Sequence, residues 1–321
     1  MKSVVYTRYG GPDVLKIRDS EKPVPGAGEV LVRVRASSIN AWDWDMVRGQ
    51  PFLIRMWGLF KPKYQIPGAD VAGIVETTGR NAGSFKTGDP VFGDLSGSGW
   101  GAFAEYVCAP EGALTRMPDG LTFKAAAAAP QAAVIALQGI RDYGRVRPGE
   151  KVLINGAGGG VGTFAVQLAK LSGGEVTAVD SSIKQDVMQS AGADHLIDYA
   201  RQDFTRTGER YDLILDLAAQ HPLSDCRRAL TTSGRYIIAG GAAGPIFQTL
   251  LIGPVYSLTG RRRAGILAHK PNKNLAEIGE LLAAGKIVSL IDREFSRDQT
   301  GEAFRYFASG KVRGKVVITS D

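Results

Sequence analysis

"KVLINGAGGGVGTFAVQLAK", residues 151–170, decides how this chain is read. A short apolar run, VLIN, is followed by a cluster of glycines. Val161, Phe164, Ala165, Leu168 and Ala169 then recur at helical spacing. A strand that turns through glycines into a helix is the phosphate-binding element of a dinucleotide fold. The fingerprint aligns on Ala157, Gly159 and Gly162, with Ala in the first place of Gly-x-Gly-x-x-Gly. Glycine at the second place lets backbone N–H groups approach a pyrophosphate, and at the third it lets the helix pack close to the strand. The helix N-terminus adds a positive field. Ala157, Gly158, Gly159, Gly160, Val161 and Gly162 are therefore the candidate cradle, and the apolar stripe behind them is core.

Working outward, the pattern from about residue 123 to 285 alternates strands and helices, which is the mark of a parallel sheet with crossovers. A helical run, FKAAAAAPQAAVIALQGI, leads in. The strands are VLIN, EVTAVD, HLID, YDLILD, GRYIIAG and RAGILA, with helices over TFAVQLAKL, SIKQDVMQSA, SDCRRALTT and NLAEIGELLAAG. Six strands in this order predict an α/β, doubly wound Rossmann sheet. Residues 1–122 read instead as short β segments, SVVYT, EVLVRVRAS, DVAGIVET, DPVFGD and FAEYVCA, separated by turns such as Tyr9-Gly10-Gly11-Pro12 and Pro118-Asp119-Gly120. That spacing predicts a β-barrel domain. Residues 286–321 return to strands and complete the first domain. Two domains also suit a chain of 321 residues, since a single core seldom grows beyond roughly 250–300.

Composition excludes several classes. Hydrophobic residues at 44% and charged residues at 22% describe a globular protein. The net charge of +7 is scattered, with one tight cluster at Arg261-Arg262-Arg263 and no nucleic-acid-binding signature beside it. Two cysteines, Cys108 and Cys226, make no disulfide framework or thiolate zinc site. With no signal-peptide pattern at MKSVVYTRYGG, a reducing, cytoplasmic location is expected. Residues 240–260, GGAAGPIFQTLLIGPVYSLTG, carry no charge, but five glycines and two prolines make a membrane span a poor reading. The stretch is expected to be a buried apolar loop or pocket lining.

The second strand ends in VTAVDSSIK. An acidic residue in the place of Asp180 accepts a ribose 2′-hydroxyl and repels a 2′-phosphate, whereas Ser181 and Lys184 offer a hydroxyl and a cation to a phosphate. The local chemistry points both ways.

Together, "ASSINAWDW", "IPGADVAGIVE", "TGDPVFG", "GAFAEYV", "VLINGAGGGVGTFAVQLAK", "AGADHLIDY" and "GKVRGKVVI" resemble the medium-chain dehydrogenase/reductase superfamily, in its zinc-independent quinone oxidoreductase (zeta-crystallin-like) branch. The resemblance spans the chain and implies a GroES-like β-barrel catalytic domain, residues 1–122 with 286–321, and a Rossmann domain, residues 123–285. It implies cofactor contacts at Asn40, at the loop Gly158 to Val161, at Ser181, Lys184 and Tyr199, and at the Gly240-Gly241 turn. Ser181-x-x-Lys184 matches the branch's motif for the 2′-phosphate of NADPH, while Asp180 departs from it, so NADH is the alternative. Metal-dependent relatives place Cys where Asn40 stands and His-Glu where the chain reads Ala69-Asp70. No zinc is expected, because a catalytic zinc needs about three protein ligands and His195, His221 and His269 lie in the other half of the chain.

The function so implied is hydride transfer from NAD(P)H to a quinone or to the C=C bond of an α,β-unsaturated carbonyl compound. Without a Lewis acid, a conjugated acceptor delocalises the charge that a saturated ketone cannot. Asn40 is the candidate positioning or oxygen-binding group, and Asp43 a candidate catalytic carboxylate. Trp42, Trp44, Ile246, Phe247 and Tyr256 are the candidate pocket for an apolar substrate. The alternatives are a metal-free alcohol dehydrogenase and a non-catalytic NADPH-binding, RNA-binding or structural protein. A homodimer through the last Rossmann strand is expected, and neither a membrane nor a nucleic-acid partner.

Overall fold

The computed structural model describes residues 1–259 and 262–320; the side chains of residues 53, 57 and 254–259 fall outside that description. The chain opens with β1 (Lys2–Val5) and β2 (Lys16–Asp19), an antiparallel pair, followed by the long β3 (Glu29–Ile39) and by helix α1 (Ala41–Arg48). Strands β4 (Asp70–Thr78), β5 (Pro90–Asp94), β6 (Tyr106–Pro110) and β7 (Thr115–Arg116) come next, then helices α2 (Phe123–Ala127) and α3 (Pro130–Leu137). The sequence reads those two helices as one. Pro130 separates them, since it cannot donate within a helix but is tolerated at a first turn.

The parallel part runs β8 (Lys151–Asn155), α4 (Gly160–Leu171), β9 (Glu175–Asp180), α5 (Gln185–Ser190), β10 (His195–Asp198), β11 (Tyr211–Asp216), α6 (Leu223–Arg228), β12 (Leu230–Ile238), α7 (Ala243–Thr259) and β13 (Arg263–Ile266). The chain ends with α8 (Leu275–Ala283), β14 (Ile291–Ser296), α9 (Thr300–Ala308) and β15 (Lys315–Thr319).

Contacts divide the chain into two compact units, residues 1–134 with 271–320 and residues 135–270. The sequence reading places the junctions at 122 and 285 instead. Residues 123–134 and 271–285 group with the first unit for visible reasons: the Gln131 N–H is bonded to the Asp70 carboxylate, and Gly279 of α8 lies against Phe92 and Pro118, where a Cβ would stand 3.0 Å and 3.2 Å from them.

The first unit is built on a seven-stranded sheet ordered β14-β15-β3-β4-β5-β7, with β6 also paired to β3. β3 carries β15 and β6 in succession along one edge and β4 along the other, with register shifts at Leu31/Val32 and Val34/Ala36. Such irregularities bend a strand enough to curl a sheet into a barrel. Val30, Val32, Val34, Val71, Val75 and Val91 fill one core, while Tyr6, Phe103, Phe304, Val316 and Ile318 fill another.

In the second unit six parallel strands are ordered β10-β9-β8-β11-β12-β13. The order reverses between β8 and β11, where ligands bind beyond the carboxyl ends of such sheets. Leu153, Val179, Ile214, Tyr236 and Ile238 build its core.

Two local expectations are corrected. SDCRRALTT is not one helix: α6 stops at Arg228, and Leu230 pairs with Tyr211 as β12 begins. The stretch at 240–260 is not a buried loop. Its residues Ala243–Thr259 form α7, with Pro245 in the first turn where a missing N–H costs nothing, and with Phe247, Leu250 and Leu251 exposed. No helix among the described residues is long and apolar enough to cross a membrane.

Candidate active site

The turn after β8 matches its sequence. Gly156 has φ 83°, a conformation that costs glycine nothing. Gly159 is the N-cap of α4, so the first-turn N–H groups at Gly160, Val161 and Gly162 have no intrahelical acceptor. A Cβ on Gly162 would stand 2.3 Å from the Gly156 carbonyl oxygen, so only glycine lets α4 approach β8 this closely. Ala157 is fully buried beneath the turn. This cradle fits a dinucleotide pyrophosphate.

Asp180 closes β9, and its carboxylate turns back under the loop. Oδ2 accepts the Gly158 N–H (3.0 Å), Oδ1 accepts the Ser181 N–H (2.8 Å), and Lys184 Nζ approaches Oδ1 at 3.3 Å. The lysine thus offsets the carboxylate's charge, and its stem lies beside Gly158, where a Cβ would stand 2.7 Å from Lys184 Cβ. Tyr199 is exposed, and its N–H is bonded to the Asp180 carbonyl (3.3 Å). Parallel pairing of Asp198 with Asp180 is what brings Tyr199 there. Gly240 and Gly241 follow β12. Gly241 has φ 129°, and a Cβ there would meet Ala219 N at 2.2 Å, so this turn also requires glycine. Ile246 packs on the core of the same unit and Phe247 is exposed. The Tyr256 side chain and Arg261 lie outside the described residues.

A feature without a sequence forecast joins the ends of β8 and β11. Asn155 Nδ2 donates to Asp216 Oδ1 (2.8 Å), and Tyr236 OH donates to Asp216 Oδ2 (2.8 Å). Burial pushes the Asp216 carboxyl up, opposed by these donors.

In the first unit, Asn40 is the N-cap of α1. Its side chain lies in a buried cluster assembled by sheet register. Asp70 stands opposite Ser38 on β3 and opposite Asp94 on β5. Like charges directly opposite one another repel, and Lys315, the first residue of β15, is inserted beside them. Asp70 Oδ2 accepts from Ser38 Oγ (2.8 Å) and Asn40 Nδ2 (2.8 Å) and faces Lys315 Nζ at 3.5 Å; Oδ1 accepts the Gln131 N–H (2.9 Å). Lys315 Nζ donates to Asn40 Oδ1 at 2.5 Å and to the Ile39 carbonyl at 3.4 Å. Lys315 is 2% exposed and Asp70 0%. Burial pushes the Lys315 ammonium down and the Asp70 carboxyl up, and their mutual attraction opposes both shifts.

Asp43, expected as a catalytic carboxylate, is fully buried and engaged by backbone; its Oδ2 accepts the Asn40 N–H (2.8 Å), and its Oδ1 accepts the N–H groups of Gly68 (3.2 Å) and Ala69 (3.0 Å). Burial pushes its carboxyl up to about 8 against those donors. Asp43 thus anchors the backbone that presents Asn40 and Asp70. Its neighbour Asp45 pairs with Arg48. The two candidate pocket tryptophans also part company, because residues two apart on a helix face different ways. Trp44 packs into the core, its ring 6.0 Å from Phe304, while Trp42 is half exposed and stacks on Trp100 at 6.2 Å.

The donor set here does not fit a zinc ion. The Ala69 side chain has no lone pair to give, the Asn40 amide is a weak ligand already engaged, and the Lys315 cation lies 3.5 Å from Asp70 Oδ2. No group of three or more His, Cys, Asp or Glu able to hold a metal occurs among the described residues.

A GroES-like barrel and a parallel six-stranded sheet with a glycine turn, in one chain, define a dinucleotide-dependent dehydrogenase or reductase. Residues 26–119 match a family model described as alcohol dehydrogenase GroES-like domain, and residues 191–318 match one described as zinc-binding dehydrogenase. A chloroplastic quinone oxidoreductase of Triphysaria versicolor is 32% identical over 99% of this chain and 98% of its own length. A chloroplastic NADPH-dependent alkenal/one oxidoreductase of Arabidopsis thaliana is 29% identical over 99% of this chain and 79% of its own. The solved quinone oxidoreductase of Coxiella burnetii superposes with a TM-score of 0.90 at 27% identity, covering 100% of this chain and 99% of that one. The chain belongs to the medium-chain dehydrogenase/reductase superfamily, in its quinone oxidoreductase branch, and with it to the NAD(P)-binding dehydrogenases.

Proposed function

We propose that this protein is a zinc-independent, NADPH-dependent reductase of quinones or of the C=C bond of α,β-unsaturated carbonyl compounds. The observation that carries the reading is the buried Asn40–Asp70–Lys315 cluster in the position where metal-dependent relatives of this fold have ligands. Quinone and enone substrates are those that the relatives' names carry.

A bound dihydronicotinamide supplies the hydride. Gly158 to Gly162 and the first turn of α4 hold the pyrophosphate through backbone N–H groups. Ser181 and Lys184 bind the adenosine 2′-phosphate, with Asp180 neutralised by Lys184 and occupied by the Gly158 N–H. Tyr199, Gly240 and Gly241 complete the cofactor contacts. Asn40 donates an N–H to the acceptor's carbonyl oxygen, where negative charge develops as the β-carbon or quinone ring is reduced. Conjugation spreads that charge, so no Lewis acid is required, and solvent supplies the proton. Trp42, half exposed against Trp100, offers apolar surface to the substrate. β13 is one of the two edge strands of its sheet among the described residues, and its edge pairs with that of a second copy to form a homodimer.

The test is steady-state oxidation of NADPH and NADH with a quinone, an enone and a saturated ketone, after treatment with a chelator. Turnover of the quinone or enone, undiminished by chelation, is expected. Turnover of the ketone alone, or loss of activity with the chelator, would sink the reading.

A further inference from the structure

A primary amide is ambiguous: rotating it by half a turn exchanges an acceptor for a donor at nearly the same shape. In Asn40 that ambiguity is removed from both sides. A lysine ammonium is an obligate donor, so the Asn40 atom 2.5 Å from Lys315 Nζ must be the oxygen. An ionised carboxylate is an obligate acceptor, so the atom 2.8 Å from Asp70 Oδ2 must be the nitrogen. The two constraints agree, although their sources lie 245 residues apart in the chain. One hydrogen of Nδ2 is thereby spent on Asp70, and the second has no acceptor among the described residues.

We propose that Lys315 is a positioning residue for the reaction: with Asp70 it locks the Asn40 amide so that the group left over for the substrate is an N–H and never a carbonyl oxygen. This rests on the reductase reading above. A flipped amide would turn a lone pair toward the developing oxyanion and repel it. The cation thus acts at one remove, through the orientation of a neutral donor. A pair with only a structural role would need opposite charges and nothing more of Asn40. The orientation role needs the obligate donor itself.

The deciding comparison is Lys315→Gln combined with Asp70→Asn, against Lys315→Arg. The double variant removes one buried charge of each sign, leaving Asp43 and Asp94 in place, and replaces both obligate partners with amides that accept either orientation of Asn40. Its thermal midpoint, its NADPH affinity by fluorescence quenching, kcat, KM, and the exchange of the Asn40 side-chain amide by selective 15N NMR are measured. NADPH affinity within about twofold of wild type and a kcat lower by at least about tenfold are expected, since losing one oxyanion donor costs about 10²–10³ in kcat. Amide exchange should be at least about tenfold faster. Lys315→Arg, which keeps only donors, should hold kcat within about threefold. A double variant with wild-type kcat and exchange would overturn the proposal. If the wild-type protein reduces no quinone or enone, the reductase reading fails instead, and the exchange measurement still decides whether Lys315 locks the amide.

Discussion

Asp180 closes β9 and Asp70 opens β4, and both carboxylates are buried beside a lysine, yet they are satisfied over very different distances. Asp180 is answered locally by the N–H of the next residue, by Lys184 four residues on and by the loop at Gly158. Asp70 is answered by Ser38, Asn40, Gln131 and Lys315, brought from separate elements by sheet register. A local pair survives the loss of one partner, because the remaining donors are held by the same turn. A cluster assembled across a barrel has no such reserve. The Rossmann unit can therefore carry conflicting cofactor signals at little cost, whereas the barrel commits its fold to one arrangement.

The sharpest way to break the contrast is Lys315→Met, which leaves Asp70 buried without its counter-charge. It should cost about 3–5 kcal/mol in urea unfolding; a loss below about 1 kcal/mol would mean that Asp70 is held by its neutral donors alone. Asp43→Ala comes next. It orphans the N–H groups of Asn40, Gly68 and Ala69, and should cost about 3 kcal/mol, since each buried unsatisfied donor is worth about 1–3. Lys184→Ala should cost less stability than Lys315→Met, because the Gly158 and Ser181 N–H groups still answer Asp180. It should nevertheless raise KM for NADPH about tenfold more than for NADH, because a charge-assisted bond to phosphate is lost. Equal effects on the two cofactors would leave Asp180 in control of cofactor choice. The smallest effect is chemical. Burial pushes the Cys226 thiol up to about 12 and the Cys108 thiol up to about 11, so at pH 8 an alkylating reagent should label the native protein far more slowly than the urea-unfolded chain.

The legible parts of this molecule are those written at short range. The strand, glycines and stripe of residues 151–170 became β8, its turn and α4, because each depends on neighbours within a few residues. The six strands and their order followed from alternation. Residues 240–260 misled, because their glycines and prolines suggested a loop while the backbone closed a helix with Pro245 in its first turn. Asn40 was visible as a candidate, but its partners were not. Lys315 sits in "GKVVI", where a cation inside an apolar strand was the available signal, and Asp216 at the end of YDLILD carried a similar one. Asp43 read as a catalytic carboxylate because sequence shows its charge and not the three N–H groups that consume it.

By itself, the sequence determined the two fold classes and the glycine turn after β8, since periodicity, turn chemistry and spacing act over a few residues and survive without a partner; the family came through the resemblance of its motifs. Only the tertiary structure decided that Asp43 anchors backbone, that Trp44 and Trp42 face apart, and that Asn40 is held between Asp70 and Lys315. Those outcomes depend on which strands become neighbours and in which register, and a shift of one residue would turn every one of these side chains to the other face.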